Sequence, residues 1–124
     1  MTEWRYIQTF TEQLARCGLQ PGEVVAVLSE SQSRQALVAT ARLAAQSLGG
    51  AVFDIVVPTP TSTHAVPIRS TGASRALEAN PAVVAALASS NLVIDCTVEG
   101  LLHAPELGSI LDGGARVREE VRRG

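Results

Sequence analysis

Val24-Val25-Ala26-Val27-Leu28-Ser29, then an alanine-rich stretch closed by Gly49-Gly50, then Ala51-Val52-Phe53-Asp54-Ile55-Val56-Val57: the reading of these residues decides the fold. A continuous apolar run rich in β-branched residues, without polar alternation, is the pattern of a strand covered on both faces, and both outer segments have it. Between them Ala36, Leu37, Ala41, Leu43, Ala44 and Leu48 recur with helical period. The serines of the 29–34 stretch are expected to cap that helix, and the paired glycines to end it. Strand, helix, strand with short joints implies a right-handed parallel crossover, which fixes much of the topology.

Working outward, residues 3–17 place Trp4, Ile7, Phe10, Leu14 and Cys17 on one face of a helix that Gly18 ends, and Pro21-Gly22 turns the chain into the first strand. Beyond the second strand, the stretch from Pro58 to Asn80 carries Pro58, Pro60 and Pro67 among many Ser and Thr, and reads as an excursion over the surface. Asn80-Pro81 is a helix start, and Asn91-Leu92-Val93-Ile94-Asp95-Cys96 is a third buried strand. A short helix from Pro105 to Leu111 and the Gly113-Gly114 pair lead to Ala115-Arg116-Val117, the start of a fourth strand. From Arg118 to Gly124 the chain is charged and resists burial, so this strand is either very short and at an edge or has lost its continuation. The expected fold is α/β: a three-layer αβα sandwich around a short, mostly parallel, Rossmann-like sheet, with one domain over residues 1–117 and a charged tail over 118–124.

Composition narrows the function classes. A length of 124 residues suits one domain. Ten arginines, no lysine and twelve acids give a net charge of −2, and the arginines are scattered, so nothing favours nucleic-acid binding. The lysine-free, alanine-rich usage fits a GC-rich genome and hence a bacterial source. No basic start with an apolar core and cleavage site opens the chain, and no apolar run reaches the ~20 residues of a membrane span, so a cytoplasmic protein without a membrane partner is expected. Cys17 and Cys96 have no C-x-x-C spacing and read as buried free thiols.

In open parallel sheets ligands gather beyond the carboxyl ends of the strands, which singles out residues 29–34, 58–69 and 97–104. The first has neither common phosphate-binding glycine fingerprint. The third, Thr97-Val98-Glu99-Gly100-Leu101-Leu102-His103, sets a carboxylate, a glycine and an imidazole just past a central strand. His103 there is either a group that exchanges protons in a cleft or a residue that caps the next helix or is simply exposed. His64 has no acid, cysteine or second histidine at ligand spacing, so no metal site is expected from this chain alone, and no G-x-S-x-G elbow marks a serine hydrolase.

The 24–29 strand, the alanine-rich helix to Gly50, the strand ending Val56-Val57-Pro58, and Leu92-Val93-Ile94-Asp95 followed by Leu101-Leu102-His103-Ala104-Pro105-Glu106 together resemble the N-terminal domain of bacterial 2,5-dihydroxypyridine 5,6-dioxygenases, over residues 10–117. Those enzymes look like relatives of the M29 metallo-aminopeptidases in fold. The resemblance implies an iron(II)-dependent, ring-opening oxidoreductase of nicotinate degradation that acts on a small aromatic substrate, with the iron in a C-terminal metal-binding domain and no cofactor in this chain. It implies that Leu102 packs against the substrate and that His103 is catalytic, exchanging a proton or a hydrogen bond with the ring hydroxyl. The departure from Arg118 onward, where such relatives run on into the next domain, leads to the expectation of a chain inactive alone, whether truncated, shortened or a free-standing paralogue. The sheet edge or apolar surface left open there leads to the expectation of a homo-oligomer. Two alternatives stand beside it: a non-catalytic binding or assembly module of the same fold, and the N-terminal part of an M29-type metallo-aminopeptidase.

Overall fold

The computed structural model describes residues 2–31, 33–58, 77, 80–97 and 104–119. Helices and strands alternate: α1 (Thr2–Arg16), β1 (Val24–Glu30), α2 (Gln35–Ser47), β2 (Ala51–Val57), α3 (Pro81–Ala88), β3 (Leu92–Asp95), α4 (Leu107–Asp112) and β4 (Arg116–Glu119). The strands form one sheet in the order β2-β1-β3-β4, and every pairing in it is parallel. The three strands read from apolar runs are therefore present and pair in parallel as expected, but β2, read as covered on both faces, is the outer strand of this sheet: only Val57 is buried, and Ala51, Asp54 and Val56 are exposed.

Alternation along the strands divides the interior into two layers. Val25 and Val27 of β1, with Leu92 and Ile94 of β3, pack against Phe10 and Leu14 of α1 and Val38, Ala41, Ala44 and Ala45 of α2. Ala26, Leu28 and Val93 point the other way, onto Leu87 of α3, Ile110 of α4 and Leu77. Six of the seven β1 residues are buried, which explains why the strand carries no polar alternation. A side chain as small as Ala26 at the centre of the sheet lets α3 and α4 come close on that face. Both thiols are free; Cys96 is buried as expected, whereas Cys17 at the end of α1 is only partly so.

The fourth strand is short and lies at the sheet edge, one of the two expected outcomes, but it continues through Glu119 rather than stopping at Val117. An edge strand pairs on one side only, so charged residues are tolerated if their heads find partners. Val117 packs on the α3/α4 side. Arg116 reaches Glu23 Oε1 at 2.7 Å and the Gly18 carbonyl at 3.2 Å, while Arg118 donates to Gln13 Oε1 at 2.8 Å. The backbone amide of Gln20, and then the Arg116 guanidinium, hold the Glu23 carboxyl below the usual carboxylate range. Among the described residues no helix is long and apolar enough to cross a membrane.

The ends of α3 and α4 approach closely where Gly113 meets Ala88. A Cβ on Gly113, whose φ is an ordinary −75°, would stand 2.6 Å from the Ala88 carbonyl oxygen and 2.7 Å from the Ala88 Cβ. Gly108, inside α4, has nothing within 4 Å of the same position. Gly113→Ala is therefore expected to lower the unfolding free energy by about 1–3 kcal/mol through overpacking. Gly108→Ala is expected to be neutral or to raise it by up to about 1 kcal/mol through helix propensity. Urea titration of both variants checks the pair; equal effects would contradict the close approach at Gly113.

Candidate functional site

After β1 the chain passes through α2 to β2 on one side, and after β3 it passes through α4 to β4 on the other. The connections that leave β1 and β3 thus lead to opposite sides, and the carboxyl ends of these two central strands mark the point where the strand order reverses, the place at which open parallel sheets of this kind form their binding crevice. Polar residues converge there: Ser29, Glu30 and Ser33 from the first segment, Asp95 and Thr97 from the second. All are buried, with Glu30 2% and Asp95 0% exposed. Carboxylates are rarely taken so far from water without hydrogen-bonding partners, so this end of the sheet is chemically distinct from the apolar layers below it.

The hydrogen bonds are specific. The Cys96 amide donates to the Leu28 carbonyl at 2.8 Å, the last direct bond between β1 and β3. One step further, the Ser33 hydroxyl accepts from the Glu30 amide at 2.8 Å and donates to the Cys96 carbonyl at 2.7 Å. Ser31 donates its amide to the Val57 carbonyl of β2 at 3.0 Å, so the segment after β1 is tied to both neighbouring strands. On the other lip, Asp95 Oδ1 accepts from the Thr97 amide at 3.0 Å and the Thr97 hydroxyl at 2.6 Å. Strand alternation puts Glu30 on the face of Ala26 and Leu28, and Asp95 on the face of Val93, so both carboxylates belong to the α3/α4 side.

This arrangement corrects the reading of the 29–34 serines as caps. Arg34 occupies the N-cap position of α2 and makes no side-chain capping bond, and the Ser33 hydroxyl is spent between strands. The two carboxylates were not singled out from sequence. The available signal was an acid at the last position of each of two otherwise apolar buried strands, Glu30 in β1 and Asp95 in β3.

Leu102, His103 and His64 lie outside the described residues. The segment that carries Leu102 and His103 is bounded by Thr97 and Ala104, which are both buried. Among the described residues no three His, Cys, Asp or Glu side chains come together to hold a metal ion, so they do not furnish an iron site. At the carboxyl ends of β1 and β3 the described residues bring together two buried carboxylates and the hydroxyls of Ser33 and Thr97. A groove of about 430 Å³ between α3 and α4, lined by Leu77, Val84, Ala88 and Glu106 among others, is apolar by comparison.

Asp95 holds both polar hydrogens of Thr97 in the interior, and its truncation strands them. Asp95→Ala is expected to cost about 1–3 kcal/mol, the scale of leaving buried donors unsatisfied. Asp95→Asn, which keeps an acceptor oxygen, is expected to cost less. Denaturant unfolding of the two variants measures the difference, and equal losses would show that the Thr97 bonds are not what the carboxylate contributes.

Residues 5–120 match the family of 2,5-dihydroxypyridine 5,6-dioxygenases. Among solved structures, the 2,5-dihydroxypyridine dioxygenase of Pseudomonas putida KT2440 is similar over 99% of this chain, at 30% identity and a TM-score of 0.86. This chain covers 35% of that one. No curated protein matches the sequence. With a family match over nearly its whole length and the same fold in a solved dioxygenase, the chain belongs to the 2,5-dihydroxypyridine 5,6-dioxygenase family.

Proposed function

We propose that this chain is the N-terminal, substrate-side domain of an iron(II)-dependent dioxygenase that opens the ring of a hydroxylated pyridine in nicotinate degradation. It acts in the bacterial cytoplasm, as part of a homo-oligomer, with the iron held by a C-terminal metal-binding domain. The observation that carries this reading is the likeness to a named dioxygenase over 99% of this chain and 35% of the other. A match to 35% of that enzyme supports reading this chain as one of its domains. Support for self-association comes from β2, an edge strand whose Val56 is 65% exposed.

Within that division of labour, Leu102 walls the ring and His103 exchanges a proton or a hydrogen bond with a ring hydroxyl. Both residues belong to the segment that starts from the carboxyl end of β3, where ligands of open parallel sheets gather. An imidazole titrates near neutral pH and can serve as donor or acceptor there.

Isothermal titration of the purified chain with 2,5-dihydroxypyridine is expected to give saturable binding, with unsubstituted pyridine at least about tenfold weaker because it cannot satisfy the polar groups of the crevice. His103→Ala is expected to weaken the dihydroxypyridine by a similar factor. The same chain supplied with iron(II) and 2,5-dihydroxypyridine is expected to consume no oxygen in an electrode assay. Equal affinity for both pyridines would remove the substrate assignment, and oxygen consumption would overturn the division into a substrate side and a metal side.

A further inference from the structure

In a parallel ladder a residue's carbonyl accepts from the residue after its partner, and two positions later the strand returns an amide to that same neighbouring residue's carbonyl. Leu28 pairs with Asp95, and the Leu28 carbonyl duly takes the Cys96 amide. The next bond of the ladder joins the Glu30 amide to the Cys96 carbonyl. That bond is replaced: the Glu30 amide donates to the Ser33 hydroxyl, and the hydroxyl donates to the Cys96 carbonyl. Instead of meeting directly at about 2.9 Å, the usual amide–carbonyl distance, the two backbone groups are joined through one inserted oxygen.

We propose that Ser33 is a positioning residue: its hydroxyl holds the carboxyl ends of β1 and β3 apart and thereby sets the width of the crevice between them. The delivery of this hydroxyl is rigid. The Ser33 amide donates back to the Glu30 carbonyl at 3.0 Å, closing a turn that folds the side chain over the Glu30 amide. Ser31 is tied to β2 on one side of the turn, and α2 begins at Gln35 on the other, anchored by Val38 and Ala41 in the core. On β3, the Cys96 carbonyl held by Ser33 sits between Asp95 and Thr97, which are bonded to each other. Three consecutive residues are thus fixed immediately before the segment that carries Leu102 and His103.

Removing the hydroxyl takes away the bridge between the Glu30 amide and the Cys96 carbonyl, which the parallel register otherwise brings to face each other. The expected response of Ser33→Ala is that the strands zip by one more bond and the crevice narrows. Because one satisfied pair replaces another, folding stability changes little, whereas ligand affinity falls. A residue that only stabilised the fold would show the reverse. This inference rests on the crevice being the substrate site, and the test separates the two.

The experiment compares wild type, Ser33→Ala and Ser33→Thr by crystal structure, by urea titration and by isothermal titration with 2,5-dihydroxypyridine. In Ser33→Ala the Glu30 amide is expected to bond directly to the Cys96 carbonyl, with affinity at least about tenfold lower and the urea midpoint close to that of wild type. Ser33→Thr, which keeps the hydroxyl, is expected to restore both the spacing and the affinity. If wild type binds and Ser33→Ala binds equally well, Ser33 does not position the site and the substrate reading stands. If wild type does not bind, the substrate reading fails, and the crystal structure alone decides: unchanged spacing between Glu30 and Cys96 in Ser33→Ala overturns the proposal, and zipped strands uphold it.

Discussion

The rest of the molecule depends on the pairing of β1 with a parallel neighbour on each side. Val24–Glu30 runs beside β2 along its full length and beside β3 from Val25 to Leu28, so its backbone is satisfied within the sheet while both of its faces turn to helices. That double burial demands a strand made only of apolar side chains over its middle. It also dictates which helix lies where, because a right-handed crossover leftward to β2 puts α2 on one face and crossovers rightward put α3 and α4 on the other. The reversal of direction is what leaves a crevice between the two central strands at their carboxyl ends.

Polarity follows from the same geometry. Along the body of β1 and β3 both faces meet helices and the side chains are apolar, whereas the outer strands admit Asp54, Arg116 and Arg118, each with a polar partner. At the carboxyl ends the chain turns away while its residues stay buried, and amides and carbonyls that the ladder no longer pairs require other partners. Ser33 supplies them to the Glu30 amide and the Cys96 carbonyl, and Asp95 to the Thr97 amide, so the residues that terminate the sheet are also the ones gathered at its carboxyl end. At the opposite end the same problem is solved near solvent, where the Asn91 side chain accepts the Val24 amide at 2.8 Å and Arg116 spans from β4 to Glu23. One end is open to water and held by an ion pair. The other is interior and held by hydroxyls and a buried carboxylate.

How far the sequence can be read follows from these constraints. β1 and β3 were legible because burial on both faces makes them nearly continuous apolar runs, and β2 because its β-branched run survives even at an exposed edge. The end of β4 was not, since an edge position lets Arg116 and Arg118 into a strand on the strength of partners 93 to 105 residues distant in sequence. Ser33 was misread because a serine before a helix looks like a cap, and only the register of β1 on β3 shows that it stands opposite the Cys96 carbonyl. Glu30 and Asp95 became a pair for the same reason: each is unremarked in its own segment, and strand order alone brings them to one face. The family resemblance, carried by the apolar strands and the Leu101-Leu102-His103-Ala104-Pro105-Glu106 stretch, agrees with the family match and the solved relative.

The central claim is that the crevice between the carboxyl ends of β1 and β3 receives the ligand. Amide chemical-shift mapping of the chain titrated with 2,5-dihydroxypyridine tests it most directly. The expected result is a saturable perturbation concentrated on Glu30, Ser33, Cys96 and Thr97, with Asn91 and Arg116 at the far end of the same strands unmoved. Perturbations concentrated instead on Val84, Ala88 and Glu106 in the groove between α3 and α4 would contradict it.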